Sequence, residues 1–146
     1  MKTLIICKSV HHGNTEKVAK AMADVLGAKL AQPEDVDPAS LQEYDLIGFG
    51  SGIYMGKHHK TIMDFAGRLP RQDRPAFVFS TCGSRKNQHQ ALLELLRQKG
   101  FAIQGEFTCA GFDTFGPFKI IGGLKKGHPD EKDIEAARAF AKSLLK

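Results

Sequence analysis

The 146-residue sequence predicts an α/β fold with a doubly wound parallel sheet. Short apolar runs alternate with segments whose apolar residues recur at helical spacing, from one end of the chain to the other. The runs are rich in β-branched and aromatic residues, as in Thr3-Leu4-Ile5-Ile6-Cys7 and Ala76-Phe77-Val78-Phe79-Ser80-Thr81. The polar, glycine-containing segments fall just after those runs, where ligands of such sheets bind.

The elements follow in order. Lys2 to Cys7 reads as the first strand. Val18, Met22, Val25 and Leu26 form the apolar face of a helix over Asn14 to Leu26. A weak second strand is expected near Ala28 to Ala31. Gln32 to Ser40, with Pro33 and Pro38, reads as a polar connection. Asp45 to Gly50 is the third strand, followed by a glycine-rich loop. A helix with Ile62, Phe65, Ala66 and Leu69 on one face stops at Pro70. Ala76 to Thr81 is the fourth strand. Leu92, Leu95 and Leu96 mark a helix that ends at Gly100. Phe101 to Cys109 is the fifth strand, with Gly105 a weak point or bulge. Ala110 to Pro129 is a long irregular stretch. Asp130 opens a last helix that buries Ile134, Ala137, Phe140, Ala141 and Leu144. No repeat or low-complexity segment interrupts this pattern, and residues 1–146 read as a single domain.

Composition narrows the function. Net charge is +5, from 21 Lys and Arg against 16 Asp and Glu. Such a surface suits nucleic acid, an acidic protein or a carboxylate-bearing molecule. None of the nucleic-acid-binding motifs is present, which argues against the first. No apolar stretch is long enough for a bilayer, and no signal-peptide pattern opens the chain. The irregular spacing of Cys7, Cys82 and Cys109 fits neither a disulfide scaffold nor a zinc motif, and reduced thiols suit a cytoplasmic protein.

Three loops carry the candidate chemistry. The first is Ser9-Val10-His11-His12-Gly13-Asn14-Thr15, between a strand and a helix N-terminus. Outward N–H groups, hydroxyl and amide donors and the helix dipole make it a phosphate cradle. It lacks both the lysine of a nucleoside triphosphate loop and a dinucleotide G-x-G-x-x-G, so a monophosphate held by neutral donors is expected. The second runs from Gly50 through Ser51, Gly52, Ile53, Tyr54, Met55 and Gly56 to Lys57, His58 and His59. Its glycines admit a flat ligand, and Tyr54 and Met55 offer a surface for a ring. The third, Thr81-Cys82-Gly83-Ser84-Arg85, lies at the same edge. The His11-His12 and His58-His59 pairs lack the companions of a metal site. His59 is a candidate proton donor or a helix cap.

Together these segments resemble the flavodoxin family over nearly the whole chain. The likeness rests on the opening strand, the Gly-Asn-Thr-Glu run at Gly13 to Glu16, the loop after the third strand and the short final helix. The resemblance implies a flavodoxin-like three-layer sandwich, a five-stranded parallel sheet of order 2-1-3-4-5, and FMN as cofactor. It implies phosphate binding by Ser9, His11, Gly13, Asn14 and Thr15, with Val10 and His12 in the same loop. It also implies that Ser51, Ile53, Tyr54, Gly56, Thr81, Cys82 and Gly83 line the isoalloxazine ring, beside Gly52 and Met55. Met55-Gly56 is similar to a pair whose peptide turns over on reduction in some flavodoxins. The first loop is one residue longer than the usual family pattern. In spacing it is closer to the flavodoxin-like protoporphyrinogen oxidases, as is Ile53-x-x-Gly56-x-x-His59. No tryptophan is present, so one ring face is open unless Phe112 or Phe115 covers it.

The implied role is electron transfer between redox partner proteins. The alternative is a flavin-dependent oxidoreductase acting directly on a tetrapyrrole or quinone. Most flavodoxins are acidic; here Lys57, His58, His59 and Lys60 form a basic run beside the ring loop, which favours the anionic fully reduced flavin. Arg85, Lys86, Lys119, Lys125 and Lys126 extend the basic surface, which suits an acidic redox partner or a carboxylate-bearing substrate.

Overall fold

The computed structural model describes residues 1–9, 14–54, 57–82, 89–110 and 131–145; the side chains of Asn14, Tyr54, Lys57, Cys82 and Ala110 are outside this description. Alternation within the strands decides the architecture. In β1 (Thr3–Lys8) Leu4 and Ile6 enter one core, and Ile5 and Cys7 enter the other. A strand apolar on both faces must be covered on both. α1 (Asn14–Leu26) and α4 (Glu131–Ser143) cover one side of the sheet. α2 (Lys60–Arg68) and α3 (Gln90–Gln98) cover the other. The result is a three-layer sandwich.

The remaining strands are β2 (Lys29–Ala31), β3 (Leu46–Tyr54), β4 (Lys57–His58), β5 (Pro75–Cys82) and β6 (Ala102–Ala110). The path through the sheet is β2-β1-β3-β5-β6, all parallel, and β4 pairs antiparallel with the end of β3. Counted without the two-residue β4, the five parallel strands have the order 2-1-3-4-5, as the sequence implies.

Three segments differ from the sequence reading. β3 does not stop at Gly50; it continues to Tyr54, and Ser51 and Gly52 still pair with Ser80 and Thr81 of β5. β-branched Ile53 and aromatic Tyr54 then turn the expected loop into a hairpin, in register with His58 and Lys57. The polar connection after β2 contains two 3-10 segments, Pro33–Asp35 and Pro38–Glu43, which bury Pro33 and Leu41. In β6 the register slips between the Ala76–Ile103 and Phe77–Gly105 pairs, so Gln104 is the extra residue of a bulge. A Cβ on Gly105 would lie 3.0 Å from the Phe140 ring, so the absence of a side chain there lets α4 approach closely.

The alternation also explains two glycines of β3. A Cβ on Gly48 would run into the ring of Phe77, and one on Gly50 into the ring of Phe79. These rings lie across β3 and complete the core under α1 and α4. Gly48→Ala and Gly50→Ala are therefore expected to destabilise the fold by about 1–3 kcal/mol each through overpacking. Urea unfolding of the two variants against the parent measures this, and an unchanged midpoint for both would contradict the packing.

Candidate functional site

The site grows from the carboxyl ends of β1, β3 and β5. β1 is paired on one side by β2 and on the other by β3, so the connections on its two flanks leave in opposite directions. In this strand order that switch point opens a crevice at the carboxyl edge. α1 begins at Asn14, beside the end of β1, and its first N–H groups have no partner within the helix and mark the positive end of its dipole.

Ser9 is held there by its hydroxyl, which accepts a hydrogen bond from the Glu16 N–H at 3.2 Å. That contact leaves the Ser9 proton free to donate. Thr15 is buried, and its Oγ1 lies 2.7 Å from Oγ1 of Thr81, so the first turn of α1 is tied to the end of β5. Glu16 is turned along its helix toward Lys20, at 3.3 Å. A cleft on the β2 flank is lined by Ser9, Gln32 and two carboxylates, Glu16 and Asp35. Their charge disfavours an anion on that flank. Cys7 borders the same cleft; burial, with a smaller contribution from Glu16, pushes its thiol up to about 12, which makes it an inert thiol.

Ser51 sits under the hairpin and is fully buried. Its hydroxyl donates to the Gly52 carbonyl at 2.7 Å and accepts from the His59 N–H at 2.9 Å. Its oxygen is also 3.0 Å from Nδ1 of His58. The single serine proton is committed to the carbonyl, so Nδ1–H of His58 donates to Ser51 and Nε2 carries a bare lone pair. That Nε2 is buried and has no hydrogen-bond partner. An unmatched buried acceptor costs about 1–3 kcal/mol.

A second histidine lies beside it. His89 precedes α3, and its ring centroid is 5.0 Å from that of His58. Nδ1–H of His89 donates to Oε1 of Glu106 at 3.0 Å, and Nε2 lies 2.7 Å from Oγ of Ser80. Oγ of Ser80 is also 2.9 Å from Oγ1 of Thr108. Protons then point one way, from Thr108 to Ser80 to His89 to Glu106. Ser, His and Glu in this order have the wiring of an acyl-transfer triad. Ser80 is only 1% exposed, however, and its oxygen accepts from Thr108, so it presents no open face for attack.

The histidines overturn part of the charge reading. His58 was expected to add positive charge beside the ring loop. It is 3% exposed, and burial, helped by His89, lowers its pKa to about 3. Burial first, then Lys8, also lowers that of His59, with Glu34 opposing. Both rings are therefore neutral near pH 7. His59 caps a helix: its Nδ1 accepts from the Thr61 N–H at 3.0 Å at the start of α2.

The structure thus brings together Ser9, Thr15, Ser51, Gly52 and Thr81 at one edge. Gly52 and Ile53 lie on the outgoing arm of the hairpin, and Tyr54 ends it. Cys82 closes β5, in register with Ala110, whereas Cys109 pairs with Thr81, so the two cysteines are offset by one position. Asn14 starts α1. Val10, His11, His12, Gly13, Met55, Gly56 and Gly83 lie outside the described residues, as do Phe112, Phe115, Arg85, Lys86, Lys119, Lys125 and Lys126. Sequence reasoning missed Ser80, His89, Glu106 and Thr108. The trace they left is polar residues inside strands: Ser80 in β5, and Glu106 and Thr108 at alternate positions of β6.

These features define an α/β protein with a crevice at a sheet switch point. Residues 4–110 match the model of the flavodoxin domain family, and the chain belongs to that family. An uncharacterized protein of Methanocaldococcus jannaschii is 51% identical over 149 residues, covering 100% of this chain and 99% of that one. Flavodoxin 2 of Bacillus cereus superposes with a TM-score of 0.75 at 21% identity, covering 99% and 98% of the two chains. Flavodoxin 1 of the same organism gives 0.74 at 19% identity, covering 99% and 97%. A flavodoxin from the domain Archaea gives 0.67 at 16%, covering 99% and 96%. Family membership implies a flavin cofactor. Among the described residues, no helix is long and apolar enough to cross a membrane.

Burial also lowers the His89 pKa, with Glu106 opposing. Above the ordinary value of 6.5, both His58 and His89 are neutral in the folded and the unfolded chain. As pH falls below it, the unfolded chain binds protons that the folded chain refuses, down to about pH 3 for His58. Stability is thus expected to fall with acid by up to about 1.4 kcal/mol per pH unit for each histidine. Urea unfolding near pH 7 and near pH 5 measures the slope, and His58→Asn should flatten it. A parent whose stability is flat across this interval would refute the neutral pair.

Proposed function

We propose that this protein is an FMN-binding electron carrier of the flavodoxin type. What supports the reading is the start of α1 at Asn14, beside the β1/β3 switch crevice, with the Ser9 hydroxyl accepting from the Glu16 N–H and keeping its proton to donate. A phosphate dianion matches that set: helix N–H groups, a hydroxyl and the dipole. Ser9 and the turn that follows would hold the phosphate. The β3–β4 hairpin and the segment after β5 would flank the ring. The flavin supplies the electron chemistry; the protein binds it, orients it and sets the field around it.

The field has a definite sign. His58 and His59 are neutral, so among the described residues the positive charge near the hairpin comes from Lys60, at the start of α2, and Lys8, which acts on His59. These two lysines favour an anionic reduced ring and raise its potential relative to an acidic surround. The net charge of +5 suits an acidic redox partner or a carboxylate-bearing substrate.

Titration of the cofactor-free protein with FMN, followed by flavin fluorescence, tests the reading. Stoichiometric quenching is expected, and no quenching at excess FMN overturns it. Ser9→Ala should weaken binding about tenfold or more, the loss of one charge-assisted hydrogen bond. Lys60→Glu should lower the midpoint potential in a reductive titration while leaving FMN affinity nearly unchanged. An unmoved potential would show that the lysines do not act on the ring.

A further inference from the structure

We propose that His58 and His89 are a clasp of two imidazoles that fixes the β3–β4 hairpin against the start of α3, and so positions the flavin ring. The inference rests on the flavin reading above. Its observations are independent of that reading.

The placement is the first. His58 ends the return arm of the hairpin that follows β3, and His89 is the N-cap residue of α3. The anchoring is the second. His58 is bonded to Ser51 and His89 to Ser80, and these serines are register partners on neighbouring strands β3 and β5. Strand pairing fixes the two serines, the serines fix the two rings, and the rings meet at 5.0 Å with 42° between their planes. The four side chains close a loop between the hairpin and the start of α3. Glu106 steadies the far side of the His89 ring, through Nδ1.

The third observation is a departure from good packing. Nε2 of His58 is buried without a partner, although an apolar side chain of similar shape would leave nothing unmatched there. Breaches of local rules concentrate where geometry serves a ligand rather than stability. A planar imidazole held by Ser51 has one orientation, and a planar neighbour can lie against it. Phe at the same place keeps the bulk and loses the tether that fixes the angle.

The experiment uses the full chain with and without FMN. His58→Phe, His89→Phe and the double variant are titrated with FMN, and the visible circular dichroism of the bound flavin is recorded. Urea unfolding of the cofactor-free variants runs alongside. Each single change should weaken FMN binding about tenfold, with the double variant little worse than either, because partners in one unit are not additive. The dichroism of the bound flavin should change in all three. His58→Asn keeps a donor toward Ser51 and should recover most of the affinity and the parental spectrum; it also serves if the Phe variants fail to fold. Nitrogen-15 spectra of the cofactor-free parent should show His58 protonated at Nδ1. Folded variants that lose stability but bind FMN within about twofold of the parent, with its spectrum, overturn the clasp and leave the flavin reading standing. Independent, multiplying losses also overturn it. A parent that binds no FMN overturns both.

Discussion

The pairing of β1 with β3 is the constraint from which the site follows. Six register pairs, from Thr3–Leu46 to Lys8–Ser51, lock two parallel strands side by side up to their carboxyl ends. The last pair sets Ser51 beside the residue preceding Ser9. On the far flank of β3, the Ser51–Ser80 and Gly52–Thr81 pairs carry the same alignment to β5. Three loops that are far apart in the chain thereby leave the sheet at one height. Parallel ladders cost loop length, and a doubly wound sheet spends that length on helices that cover its faces. The crevice is the residue of that solution: at the switch point no helix crosses, and α1 turns its positive end toward the gap.

Burial then determines the chemistry of the edge more than composition does. A histidine in water titrates near pH 6.5; His58, inside the protein, stays neutral at pH 7 and donates through Nδ1 to Ser51. His59, one position on, spends its Nδ1 on the helix start. The two residues are identical and adjacent in the chain, yet the pleat sends one under the hairpin and the other to the α2 cap. The same contrast separates Thr15 from Ser9. The first is consumed in a hydroxyl contact with Thr81, and the second keeps its proton.

Much of the architecture was legible in the sequence because it depends on period alone. Val18, Met22 and Leu26 recur at helical spacing and lie in the core that Ile5 and Cys7 enter. Asn14 to Leu26 was placed to the residue. The hairpin was not legible, since Gly50-Ser51-Gly52 reads locally as a turn and only pairing with β5 makes it strand. The buried polar cluster was hidden for a related reason. Ser80, His89, Glu106 and Thr108 are far enough apart in the chain that only the β5–β6 register and the approach of α3 unite them. Neither propensity nor spacing encodes such a meeting. The phosphate turn was legible as a motif, because a strand end, small polar residues and a helix start are contiguous there.

The bare positions of β3 have a consequence for how closely all this is held. The rings of Phe77 and Phe79 lie where Gly48 and Gly50 have no side chains, while Ile47 and Phe49 fill the opposite core. If β3 slid by one residue, its faces would exchange and Phe49 would be thrust against two aromatic rings. No neighbouring alignment is tolerable, so the strand behaves as a keyed shaft in its slot. The height of Ser51, and of everything suspended from it, is thus dictated from beneath, by atoms on the other side of the sheet that never touch a ligand.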